Sequence, residues 1–89
     1  MDKRILEFRK KLDEIDEKML NLLEKRMNII KSVGKIKSKL NIPIEDTERE
    51  NEIISRLSEH SGKNLSENQL ITIFRSVFQS SKIEQKKIK

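Results

Sequence analysis

From Ile5 to Leu40 apolar residues return at three- and four-residue steps, through Phe8, Leu12, Ile15, Met19, Leu22 or Leu23, Ile30, Val33 and Ile36. That period is the α-helical one, and only two glycines and one proline punctuate all 89 residues. The spacing predicts a helix from Lys3 to about Lys39, ended by Asn41-Ile42-Pro43. A second helix is expected to begin at Asp46-Thr47, with Thr47 and Glu50 as a capping box. It carries Ile53, Ile54 and Leu57 and stops near Gly62. Ser66 with Gln69 reads as a capping box for a third helix bearing Leu70, Ile73, Phe74, Val77 and Phe78. No strand pattern competes, so the expected fold class is all-α, with one long N-terminal helix and two shorter ones in a single domain, 1–89.

Helix length bears on quaternary structure. A first helix of about 36 residues spans roughly 54 Å, whereas a compact domain of this size is only about 30 Å across. The first helix must overhang its own domain, and its apolar stripe continues along the overhang. A two-fold homodimer that pairs the long helices would cover it. An extended coiled coil with a purely structural role satisfies the same periodicity.

Twenty Lys and Arg against fifteen Asp and Glu give a formal charge of +5, compatible with an anionic small ligand or with nucleic acid. The basic residues are interleaved with acids at helical spacing, and with no Trp, no Tyr and three Phe there is little on which bases could stack. A nucleic-acid partner is therefore not expected. The absence of cysteine excludes a disulfide framework and thiolate chemistry, and a lone histidine, His60, offers no metal site. His60 falls near the end of the second helix and is assigned no role. The N-terminus turns charged within a few residues and no apolar stretch reaches transmembrane length, so a cytoplasmic location and no membrane partner are expected.

The informative residues are polar ones at core positions. The stripe through Met19, Leu22, Ile30 and Val33 places Arg26 in its seam, and Lys37 falls on the same side three turns later. In the second helix Glu50 shares the face of Ile53, Ile54 and Leu57, with Asp46 one turn earlier. In the third, Ser81 extends the run of Phe74 and Val77, and Gln85 lies four residues beyond it. Unpaired charges are costly to bury, so polar groups converging from three helices point to a ligand cavity. An internal ion-pair network, Arg26 with Glu50 and Lys37 with Asp46, remains the structural alternative.

These residues resemble the all-helical class of chorismate mutase. The match runs through Arg9 in Phe8-Arg9-Lys10-Lys11-Leu12-Asp13, then Asp16 and Leu23 leading to Arg26, then Val33-Gly34-Lys35-Ile36-Lys37. It continues through Pro43, Asp46 and Arg49-Glu50 to Ser81 and Gln85, covering essentially the whole chain. The resemblance implies rearrangement of chorismate to prephenate on the route to phenylalanine and tyrosine, by an isomerase that needs no cofactor. By carry-over, Arg26 and Arg9 would hold the two substrate carboxylates, with Ser81 assisting one. Lys37 and Gln85 would donate to the ether oxygen of the breaking bond, Glu50 with the Asp46 region would receive the ring hydroxyl, and Arg49 would orient these acids.

Arg9 and Arg26 stand seventeen residues apart in the sequence, about 25 Å along one helix and some 100° around it. One pocket in one chain cannot easily use both, so Arg9 is expected from the partner subunit of an intertwined dimer. Arg9, Arg26, Lys37 and Arg49 against Asp46 and Glu50 leave an excess of positive charge suited to a dianion. Two other functions stay open: isochorismate-pyruvate lyase chemistry on the same scaffold, against which Glu50 argues, and a non-enzymatic helical interaction protein. In a chain of 89 residues no fused dehydrogenase, dehydratase or synthase is expected.

Overall fold

The computed structural model describes residues 1–88, which form α1 (Lys3–Leu40), α2 (Thr47–His60) and α3 (Glu67–Lys86), with no strand among them. The all-α expectation holds, and the helix boundaries agree within a few residues.

Local chemistry accounts for the helix ends. Asp2 caps α1: its carboxylate accepts from the Arg4 backbone N–H at 2.7 Å and from the Arg4 guanidinium, which holds the carboxyl below its ordinary pKa. At the other end Asn41 takes the left-handed conformation, φ 54°, and the Ile42 N–H donates to the Lys37 carbonyl at 2.9 Å. Asn41 donates back to Ser38, completing a Schellman stop before Pro43 is reached. The expected capping box at Ser66 and Gln69 is present in full.

The cap of α2 differs from expectation. Asp46, not Thr47, is the N-cap, and its carboxylate accepts from the Arg49 N–H at 3.0 Å. Both Asp46 and Thr47 are good capping residues with a residue three further on to cap, and the charged carboxylate is the stronger acceptor beside a helix N-terminus. The shift moves Glu50 from the third helical position, where a capping box would use it, to the fourth, and leaves its side chain available.

α3 packs against both α1 and α2, whereas α1 and α2 make no close backbone approach to each other among the described residues. Ile53 of α2 and Leu70 and Phe78 of α3 are buried, together with Ser81, Gln85 and Gly34. The molecule measures 55 × 25 × 16 Å with a radius of gyration of 16.6 Å, against about 12 Å for a compact chain of this length. The overhang is the cause. From Lys3 to Lys25 every residue of α1 is exposed, Phe8 to 61% and Leu22 to 64%. No helix among the described residues is long and apolar enough to cross a membrane.

Candidate active site

The separation of α1 from α2 leaves a cavity of about 440 Å³ with α3 as its floor. Helix α1 supplies Arg26, Ile30, Val33 and Lys37, which succeed one another at three- and four-residue steps along one side. The 41–46 connection adds Ile44 and Asp46, and α2 adds Arg49, Glu50 and Ile53. From α3 come Phe78, Ser81, Lys82 and Gln85.

Arg26 is the best supported of the cations. One guanidinium nitrogen donates to Ser81 Oγ at 2.6 Å, and the group lies 6.0 Å from the centre of the Phe78 ring. Ser81 in turn donates to the Val77 carbonyl at 2.9 Å, so α3 fixes the hydroxyl that fixes the arginine. Burial, and secondarily the charge of Arg49, pull the Arg26 pKa below its ordinary value. A bound carboxylate would relieve both effects. Lys37 reaches past the end of α1 to the Ile44 carbonyl at 3.3 Å.

Gln85 is 6% exposed and has one weak bond, from Nε2 to the Ser81 carbonyl at 3.4 Å, while Oε1 is buried without a protein partner. Its place depends on Gly34. A Cβ on that glycine would stand 3.2 Å from Gln85 Cγ, 3.4 Å from Gln85 Cα and 2.7 Å from the flexible end of Ile88. Gly34→Ala should therefore shift Gln85 by a few tenths of an ångström. We expect turnover to fall roughly tenfold, because positioning errors of this kind are costly in catalysis. The gain of about 1 kcal/mol in helix propensity should keep the melting temperature close to that of the parent. Unchanged kinetics in this variant would show that Gln85 tolerates displacement.

The acids are disposed differently from one another. Asp46 is engaged in capping α2, whereas Glu50 lines the cavity and pairs with Lys82 at 3.1 Å. Arg49 also lines the cavity, but its guanidinium pairs with Glu52 on the outer side of α2 rather than with Asp46 or Glu50. The ion pairs considered as a structural alternative, Arg26 with Glu50 and Lys37 with Asp46, do not form among the described residues. Arg9 lies on the exposed N-terminal half of α1, outside this cavity. Lys82 was not anticipated. It falls four residues after Phe78 and three before Gln85, a helical position that marks the same face.

Residues 8–86 match the sequence profile of the family described as chorismate mutase type II. The chain belongs to this chorismate mutase family. It is 42% identical to a chorismate mutase from Methanocaldococcus jannaschii, over 97% of this chain and 88% of that relative. A bifunctional chorismate mutase/prephenate dehydratase from Aquifex aeolicus is 39% identical over 93% of this chain, which spans 24% of that larger protein. Among solved structures, a chorismate mutase from Helicobacter pylori in complex with prephenate superposes with a TM-score of 0.90. That match has 31% identity and covers 97% of this chain and 93% of the other. The three-helix architecture with its long first helix is thus shared with a chorismate mutase of known structure.

Proposed function

We infer that this chain is a chorismate mutase, an isomerase that rearranges chorismate to prephenate in phenylalanine and tyrosine biosynthesis. Besides family membership, the observation that carries the reading is that Arg26 and Lys37, Glu50 and Gln85 line one cavity from three different helices. Such a site can fold a flexible dianion into its reactive conformation and present donors where negative charge grows on the ether oxygen. Arg26 would take one carboxylate, its guanidinium already oriented by Ser81 and Phe78. Lys37 and Gln85 would donate to the ether oxygen, and Glu50, with Asp46 beside it, would receive the ring hydroxyl. Arg49 would set the local charge around these acids. No step requires a cofactor or a metal.

The second substrate carboxylate needs another cation. Arg9 is the residue we propose for it, donated by the partner subunit of a homodimer. The support is the exposed apolar side chains of the N-terminal half of α1, which a single chain leaves largely in water, and the distance of about 25 Å from Arg9 to Arg26 along one helix. Two long helices paired about a two-fold axis cover that face and carry each Arg9 towards the other subunit's cavity. The biosynthetic role makes the cytoplasm the proposed location, and neither nucleic acid nor membrane figures as a partner.

The deciding experiment mixes purified protein with chorismate, follows loss of the substrate's ultraviolet absorbance and identifies prephenate by its acid conversion to phenylpyruvate. Absence of prephenate from a folded, helical preparation would refute the assignment. The pH dependence should be shallow. Gln85 is a neutral amide that does not titrate, and the carboxylates of Glu45 and Glu50 hold the Lys82 ammonium above its ordinary pKa, charged throughout the neutral range. Turnover is therefore expected to hold from mildly acidic to mildly alkaline buffer. A steep loss across that window, read from initial rates, would rule out Gln85 as the donor.

A further inference from the structure

We propose that Lys82 is a positioning residue for this reaction: it holds the Glu50 carboxylate against the cavity wall and offsets its charge when a dianion enters. The proposal rests on the chorismate mutase reading of the cavity and extends it to a residue outside the expected set.

The geometry is that of a three-way bridge. Lys82 Nζ lies 3.1 Å from Glu50 Oε2 on α2 and 2.9 Å from Glu45 Oε1 in the 41–46 connection. The Lys82 and Glu50 side chains are only 23% and 25% exposed, so the pair is shielded from solvent more than an ordinary surface pair. Lys82 engages Glu50 through Oε2, so the pair does not consume the second carboxylate oxygen, Oε1.

Without this contact Glu50 would face two problems. Its charge would repel an incoming dianion, and its carboxylate could turn towards the guanidinium of Arg26 or Arg49, which line the same cavity. Either would spoil the site, the first by opposing substrate and the second by consuming a cation meant for it. Glu45 completes the device from outside. By holding the ammonium at 2.9 Å it keeps Lys82 at the bridge and away from the cavity centre, where it would compete with Arg26 and Lys37 for carboxylate. The role is thus electrostatic and orientational, without direct contact with substrate.

A purely mechanical strap between α3 and the rest of the chain makes the opposite prediction, and a double-mutant cycle separates the two. Chorismate turnover is measured for the parent, Lys82→Met, Glu50→Gln and the double variant, each checked for parental helicity. Lys82→Met should lower kcat/KM roughly tenfold, chiefly through KM, as expected when a desolvated charge loses its partner. In the Glu50→Gln background the same substitution should change kcat/KM by less than about twofold, since no carboxylate remains to be held. Lys82→Arg should recover most of the loss. Should the Met variant fail to fold, Lys82→Gln carries the same cycle. Equal losses in both backgrounds, or no loss in either, would overturn the proposal while the mutase assignment stands. A parent protein that does not convert chorismate would overturn both, and that result is read before any variant is made.

Discussion

Replacing Arg26 by alanine is expected to lower turnover of chorismate on the order of a hundredfold or more while leaving a folded, helical protein. The size follows from what the guanidinium does and from what cannot substitute for it. Arg26 donates to Ser81 and lies against Phe78, so its orientation is set before substrate arrives. A preorganised cation aimed at a carboxylate in a partly desolvated cavity contributes more than one recruited from solvent. Lys37→Ala should cost a similar factor for a different reason. The Ile44 carbonyl would lose its ammonium donor, and the ether oxygen would lose a donor as its charge develops. Arg26→Ala removes the cation over the Phe78 ring, but both substitutions leave the buried side chains of Ile53, Leu70 and Phe78 in place, so circular dichroism should remain close to the parent. Full activity in either variant, measured at saturating chorismate, would show that the proposed site is not where the reaction occurs.

The second large effect is a recovery. Arg9→Ala and Lys37→Ala should each be nearly inactive alone, yet mixing them under conditions of subunit exchange should restore roughly a quarter of the parental activity. Random exchange makes half of all dimers mixed. In a mixed dimer one site combines an intact Arg9 from one chain with an intact Lys37 from the other, and the second site has lost both. Restoration is thus a direct reading of a site assembled from two subunits. If exchange is demonstrated by mass-tagged chains and no activity returns, the donation of Arg9 across the dimer is wrong.

The architecture was largely legible because the helical period runs almost without interruption and its stops are chemically plain. Ser66 with Gln69 reads directly as a capping box, and the length of α1 alone requires an overhang. The cap of α2 was less legible. Asp46 and Thr47 are adjacent and equally plausible, and a single residue of difference decides whether Glu50 serves the helix end or the cavity.

Polar residues on apolar faces led to the cavity, since Arg26, Lys37, Glu50, Ser81 and Gln85 all line it. The pairing among them was not legible. Arg26 bonds to a hydroxyl and Glu50 to a lysine, although a one-dimensional view matches each with the other. Lys82 escaped notice because a lysine beside Ser80 and Ser81, near a lysine-rich end, looks like an ordinary solvated charge. Only its helical register with Phe78 and Gln85 marked it, and that signal is weak for so long and flexible a side chain.

Among the described residues helix α3 alone packs against both other helices, and its run from Phe78 to Gln85, which holds three of its buried residues, also floors the cavity. Foldability and chemistry therefore compete for the same positions in this small protein. Converting Ser81 or Gln85 to an aliphatic residue would give α3 the continuous apolar face that a designer would choose, and such polar-to-apolar exchanges in cores are often stabilising. Selection for robustness alone would thus close the cavity, leaving a sturdier bundle with nothing to do. The marginal interior of this chain is the form that its usefulness takes.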